Sequence, residues 1–363
     1  MPSPQETSKD TKKLASAWAA SVLAIALTAG LAGCGGGGGG GGAGTNAPAP
    51  GPSPAPESPT PPPPPPPPPA AAQLEGRLWH NDYAFDLLEG TQIASLDGKL
   101  PVYATTNIDA RPWPDGSQFS IDDRNVYDDY TDLKVIDLAT SQTLYSLRAT
   151  GYLYGVRPSP ASKTMVMAEI GADSISPADT IVIDLTTSSV LRRFSDNSPM
   201  NWLPDGRYMR VLADGSLRIG DVNAGEVDAG HVDPPTDHSV SALWVSPKGD
   251  KVAWSVVHHV SPTPENDIWV SDIDGSHLER VTQTKMSNYA AWSPDGSKIA
   301  FDVDTGSFCN GFGCMGSCDL WWVPASSRGV IAVPASGDAF LFKAKDRSGS
   351  DKTVGCDLMA WTK

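Results

Sequence analysis

Basic residues are in short supply: 27 Lys and Arg stand against 42 Asp and Glu, a formal net charge of −15. That balance argues against nucleic acid as a partner and against direct docking on anionic lipid. Histidine is sparse too, with 6 residues in 363, and there is no G-x-S-x-G elbow, no H-E-x-x-H helix and no phosphate loop. These absences close the best-marked routes to acyl transfer, zinc proteolysis and nucleotide hydrolysis. Long apolar runs are missing everywhere except "LASAWAASVLAIALTAG" at residues 14 to 30, which is barely long enough to span a bilayer.

What is present begins with that run. Lys9, Lys12 and Lys13 precede it and Leu31-Ala32-Gly33-Cys34 ends it, so residues 1–33 read as a secretory signal. The closing tetrapeptide resembles the lipobox of bacterial lipoproteins. The resemblance implies lipidation at Cys34, a membrane link through that lipid and, with Gly35 rather than Asp next in line, an outer-membrane lipoprotein of the cell envelope facing the periplasm or the cell surface. Residues 34–72 follow with eight glycines (35 to 42) and nine consecutive prolines (61 to 69). Such a segment buries too little apolar surface to fold and reads as a tether: the glycines make a flexible coil, the prolines a stiff spacer of roughly 28 Å.

Residues 73–363 carry a repeat. Trp113-Pro114-Asp115-Gly116, Ser159-Pro160-Ala161-Ser162, Leu203-Pro204-Asp205-Gly206, Ser246-Pro247-Lys248-Gly249 and Ser293-Pro294-Asp295-Gly296 place prolines 46, 44, 43 and 47 residues apart. Proline presets φ for the second position of a type I turn, Asp tolerates the next, and Gly accepts the left-handed conformation of a bulged hairpin. A second anchor follows each turn: "DLKVID" (132 to 137), "DTIVID" (179 to 184), "SLRIGD" (216 to 221), "DIWVSD" (267 to 272) and "DLWWVP" (319 to 324). A period near 45 residues holding about four short strands is that of a β-propeller blade.

Residues 267 to 301, "DIWVSDIDGSHLERVTQTKMSNYAAWSPDGSKIAF", resemble two successive half-repeats of the TolB-like propellers, a WD40-like (PD40) repeat family; the likeness covers about residues 100 to 335. Five repeats leave 78 to 96 and 338 to 361, each about two strands long. A propeller that did not join its ends would expose two unpaired edges, so the expected fold is all-β, a six-bladed β-propeller closed by N- and C-terminal strands, with seven blades the alternative.

The expected binding surface is the blade end opposite the Pro-Asp-Gly turns, where the loops vary. Blade one contributes an acidic and aromatic group, Asp122, Asp123, Tyr127, Asp128, Asp129 and Tyr130, and blade four contributes His258 and His259. Asp272 to Gly275 and Asp302 to Gly306 look like calcium loops, but the first is the repeat's ordinary turn and the second lacks the Glu needed at its twelfth position. No metal and no cofactor is therefore expected. Cys309, Cys314, Cys318 and Cys356 are disulfide candidates, because an exported chain meets an oxidising compartment and their spacing departs from the paired knuckles of zinc sites. The function expected is a non-enzymatic binding or scaffold protein, monomeric, for a protein, peptide or glycan partner, as the TolB-like resemblance implies. The alternative is a periplasmic hydrolase or lyase acting on saccharide or peptide with carboxylates gathered at the channel mouth.

Overall fold

The computed structural model describes residues 74–80, 83–86, 91–93, 108–125, 130–171, 177–261, 263–304, 308–310, 313–315, 318–331, 339–345, 351–354 and 358–363. All belong to the compact unit Pro67–Lys363, and they form strands and turns with no helix. The chain is an all-β propeller.

Five sheets are four-stranded antiparallel blades in sequence order. Blade one is Ile108–Pro112, Gln118–Asn125, Tyr130–Asp137 and Thr143–Thr150, and blade two is Tyr152–Pro158, Met165–Gly171, Pro177–Asp184 and Ser189–Phe194. Blade three is Met200–Trp202, Tyr208–Val211, Ser216–Gly220 and Glu226–His231. Blade four is His238–Val245, Lys251–His258, Glu265–Asp272 and Glu279–Arg280, and blade five is Ala290–Trp292, Lys298–Asp304, Cys318–Pro324 and Phe340–Leu341. The repeat turns lie between first and second strands as their chemistry requires. Gly116, Gly206, Gly249 and Gly296 have φ of 66°, 88°, 72° and 73°, and Asp205 and Asp295 each accept the N–H two residues on at 3.0 Å.

The blade count corrects the sequence reading: there are five four-stranded blades, not six. The N- and C-terminal strands instead build one six-stranded sheet in the order Asp351–Thr353, Lys343–Lys345, Thr91–Ile93, Tyr83–Asp86, Arg77–His80, Leu358–Thr362. Two further strands add to its outer side because the chain after blade five is long enough to fold back as a hairpin that pairs in parallel with Thr91–Ile93. Alternation along Arg77–His80 sends its two apolar residues to opposite faces. Trp79 packs with Ala110, Phe119 and Ile121 of blade one, whereas Leu78 joins Trp361 against Ala291, Ala300, Leu320 and Trp322 of blade five. Trp79 Nε1 donates to Thr362 Oγ1 at 2.9 Å across the join. Gly76 is needed here, since at φ 96° a Cβ would lie 2.2 Å from the Thr362 carbonyl oxygen.

The core is otherwise a set of clusters between neighbouring blades. Leu133, Val135, Val156 and Val166 join blades one and two, Met167, Val182, Trp202 and Tyr208 join two and three, and Val270, Trp292, Phe301 and Trp321 join four and five. Indole N–H groups reinforce these seams: Trp202 donates to the Arg157 carbonyl at 2.7 Å and Trp292 to the Trp244 carbonyl at 2.8 Å. The blades are thereby fixed relative to one another, and so are the strands that border the central channel.

Candidate functional site

The first strand of each blade borders that channel, and the repeat turn supplies a ruler along it. The residue three before each turn proline is Arg111, Arg157, Asn201, Trp244 or Ala291; five before, in blades two to five, stand Gly155, Pro199, Ala242 and Tyr289. Strand alternation puts these two sets on one face. A cavity of about 490 Å³ is lined by Arg111, Tyr154, Gly155, Arg157, Glu169, Pro199, Asn201, Ser241, Ala242, Trp244, Tyr289 and Ala360. At the turn end of the channel a second cavity of about 470 Å³ is lined by Pro114, Pro160, Pro204, Pro247 and Pro294 with Trp113, Trp202, Trp292 and Trp361; it shares Pro158, Asn201, Trp244 and Ala360 with the first. The two are opposite ends of one channel.

The first cavity has two unlike sides. Arg111 and Arg157 come from the adjacent blades one and two, and Arg157 Nη2 donates to Glu169 Oε1 at 3.0 Å. Across the channel, in blades four and five, Trp244 and Tyr289 meet edge to face with centroids 6.5 Å apart. Tyr289 is 49% exposed, although residues of its type usually hide their ring. Two inner strands are bulged at this level. The register of Tyr152–Pro158 shifts between Tyr154 and Arg157, where Gly155 takes φ 51°, and that of His238–Val245 shifts between Val240 and Ala242. Bulges re-aim side chains, and both of these lie on the cavity wall. Asn201 donates from Nδ2 to the Leu243 carbonyl at 2.9 Å, which fixes the polar corner between the basic and aromatic sides.

Asp302 stands behind the aromatic side. It is 4% exposed, and its Oδ1 accepts the N–H groups of Asn288 and Tyr289, both at 2.9 Å. Burial pushes its pKa up to about 6 against the lowering effect of those two amides. The residue that resembled the head of a calcium loop is therefore a latch on the backbone that carries Tyr289. Among the described residues no group of three or more His, Cys, Asp or Glu is arranged to hold a metal ion.

The loop residues expected to bind lie elsewhere, and one expectation is corrected outright. Asp122 is no surface loop residue: it has 0% exposure and sits in mid-strand, opposite Asp109 and Leu133. Like Asp302 it lies eight residues after its turn proline, a position whose side chain goes inward. Asp123 is half-buried and opposite Asp132. Tyr130 is half-buried beneath Arg148, whose guanidinium carbon lies 3.8 Å from the ring centroid, and Arg148 also pairs with Asp132 at 2.7 Å. Tyr127, Asp128 and Asp129 lie outside the described residues.

His258 ends a strand and stacks on His238, which the sequence reading passed over, with centroids 4.2 Å apart and planes 4° from parallel. Its Nδ1 is 3.7 Å from Glu265, while Nε2 of His259 bonds Ser239 Oγ at 2.7 Å. The two histidines thus serve different neighbours. Cys309 and Cys314 oppose each other in a small hairpin, Phe308–Asn310 with Gly313–Met315. Cys318 is disulfide-bonded, and Cys356 and Cys34 lie outside the described residues. The cavity residues were missed because variable loops were weighed and inner strands were not. The signal available was the uneven series Arg, Arg, Asn, Trp, Ala at one fixed distance from the turn prolines.

No protein-family model matches the chain, and no curated protein matches it. Among solved structures it is similar to a putative TolB from Agrobacterium tumefaciens (TM-score 0.44, 16% identity, covering 70% of this chain and 84% of that one). It is similar also to an oligogalacturonate lyase in complex with manganese (0.43, 14%, 70% and 73%) and to the tricorn protease (0.37, 14%, 67%), of which it spans 24%.

Proposed function

We propose that this chain is a lipid-anchored envelope propeller, related to the TolB-like proteins, that binds a protein, peptide or glycan partner without chemistry, and does so at the cavity end of its central channel. What carries the reading is the cavity's wall. A hydrolytic or eliminating site needs two acids, or an acid and a histidine, within hydrogen-bond reach of one point. Among the described side chains that line the cavity there is one acid, Glu169, and it is bonded to Arg157. Arginine with Trp and Tyr is instead the composition of binding hot spots. In this reading the chain is a monomer, and the domain is held off an outer membrane by residues 34–72.

Two outcomes test it. Ala242 is half-buried on the cavity wall, so Ala242→Trp fills the cavity from inside. Capture of a partner from envelope extract by the tether-free propeller is expected to drop at least about tenfold in that variant, the loss of roughly 1.4 kcal/mol of contact, with an unchanged melting profile. Undiminished capture would place the site elsewhere. Cys34→Ser is expected to release the protein from the membrane fraction or block its processing; normal cleavage with full membrane retention would contradict the anchor.

A further inference from the structure

We propose that the cavity recognises a carboxylate borne on a ring or apolar body, with Arg111 and Arg157 taking the carboxylate and the Trp244–Tyr289 pair taking the body. This deepens the binding reading above and rests on it. Guanidinium is the side chain whose planar fork matches a carboxylate, and two of them on neighbouring inner strands give a basic patch inside a chain of net charge −15. In so acidic a protein, a pair of arginines at matching positions of adjacent blades is not what solubility demands.

Arg157 is built in rather than draped over a surface. The bulge at Gly155 sets its register, Trp202 holds its backbone carbonyl at 2.7 Å, and Glu169 holds one terminal nitrogen at 3.0 Å. Its Nε donor remains, buried without a protein acceptor. A buried donor of a charged group left in that state is costly, and an incoming carboxylate oxygen satisfies it. Glu169 already takes Nη2, the partner of Nε on the same edge, so a carboxylate oxygen is received at Nε beside Glu169.

The opposite side specifies the rest of the ligand. The edge-to-face pair of Trp244 and Tyr289, with Tyr289 half exposed, offers a wide amphipathic platform at low ordering cost. A cavity of about 490 Å³ is of small-ligand size, holding one sugar ring or one peptide end rather than a folded surface. The ring-borne carboxylate has two sources, a uronic acid or the free end of a peptide with an aromatic last residue.

The test is calorimetric titration of the propeller with D-glucuronate and with N-acetyl-L-phenylalanine, each beside its neutral counterpart, the methyl ester or the amide. At least one acid is expected to bind and its counterpart to bind at least about tenfold more weakly; which acid binds identifies the source. Arg157→Gln is expected to weaken that acid by tens of fold, the worth of hydrogen bonds to a charged group, and raised salt to weaken it further. Because Arg157→Gln strands Glu169, the double variant Arg157→Gln/Glu169→Gln is measured alongside, with thermal melts of both. Binding of neither acid, equal binding of acid and neutral forms, or full affinity in the folded double variant overturns the proposal. Where the acids fail yet Ala242→Trp still abolishes partner capture, the carboxylate is wrong and the binding reading stands.

Discussion

A chain that starts at residue 98 will aggregate, or melt at least about 15 °C below a chain that starts at residue 73. The deletion removes Arg77–His80, the strand that lies between Leu358–Thr362 and the rest of the terminal sheet. Leu78 and Trp79 are 0% and 1% exposed, and truncating such side chains costs about 2 to 5 kcal/mol each. Two edges open at the same time, and unpaired edges template association. For a domain of this size each kcal/mol moves the midpoint by about 2 to 4 °C, and the summed loss approaches the whole stability of an ordinary domain, about 5 to 15 kcal/mol. A gentler version isolates the join: Trp79→Ala keeps the strand but empties its contact with Phe119, 6.1 Å away between ring centroids, and is expected to cost about 3 to 5 kcal/mol. Matching melts of the two deletion chains by circular dichroism, with both monomeric on a sizing column, would show that the termini do not hold the ring together.

Between pH 4 and pH 7 the wild-type domain will lose stability relative to Asp302→Asn, by on the order of 3 kcal/mol in total. The folded-state pKa of Asp302 is about 6 against an unfolded value of 3.8. Within that window the folded state binds more protons than the unfolded one, so this group's stabilisation is complete below pH 3.8 and is lost as pH rises through 6. A tenfold difference in proton affinity between the two states is worth about 1.4 kcal/mol. Asn keeps an oxygen for the amides of Asn288 and Tyr289 but never ionises, so the difference between the two proteins reports the charge alone. Asp302→Ala removes the acceptor as well and is expected to cost about 2 to 4 kcal/mol throughout, because two part-buried N–H groups lose their partner. Other acids act in the opposite sense. Asp272 is held down to about 2 by Lys251 and His277. Burial works to raise Asp295, but hydrogen bonds from Ser293 and Ser297 outweigh it and pull the carboxyl well below its usual range. Their contributions are present above pH 4 and fade below it. The domain is therefore expected to be most stable near pH 4 to 6, and urea titrations across pH 4 to 8 read the Asp302 difference directly. A gap between wild type and Asp302→Asn that stays constant over that range would mean the carboxyl keeps an ordinary pKa.

The same carboxyl shows what could be read from the chain and what could not. Turns such as Ser293-Pro294-Asp295-Gly296 were legible because their geometry is written in three adjacent residues, each with its own backbone preference. The period followed from the turns, and the joining of the ends followed from the cost of an open edge. Asp122 was misjudged, and Asp302, at the matching position of blade five, shows the reason. An acid beside a variable loop reads as solvated, and only the register of its strand, set by pairing with residues far along the chain, decides that it goes inward. The terminal sheet gained strands because nothing local to Lys343–Lys345 reveals its parallel pairing with Thr91–Ile93. The cavity lay between these cases. Arg111 and Arg157 are each unremarkable alone, and their meaning appears only when inner strands are aligned on the turn prolines and the channel-facing position is compared around the ring.

Photo-crosslinking reads the central claim, that binding takes place at the cavity end of the channel. A benzophenone amino acid in place of Tyr289 sits on the aromatic side of the cavity, and one in place of Val227, 61% exposed in an outer strand of blade three, serves as the comparison. On irradiation with envelope extract the Tyr289 position is expected to yield a discrete adduct that Ala242→Trp suppresses, while the Val227 position yields none. An adduct at Val227 with none at Tyr289 would contradict the account.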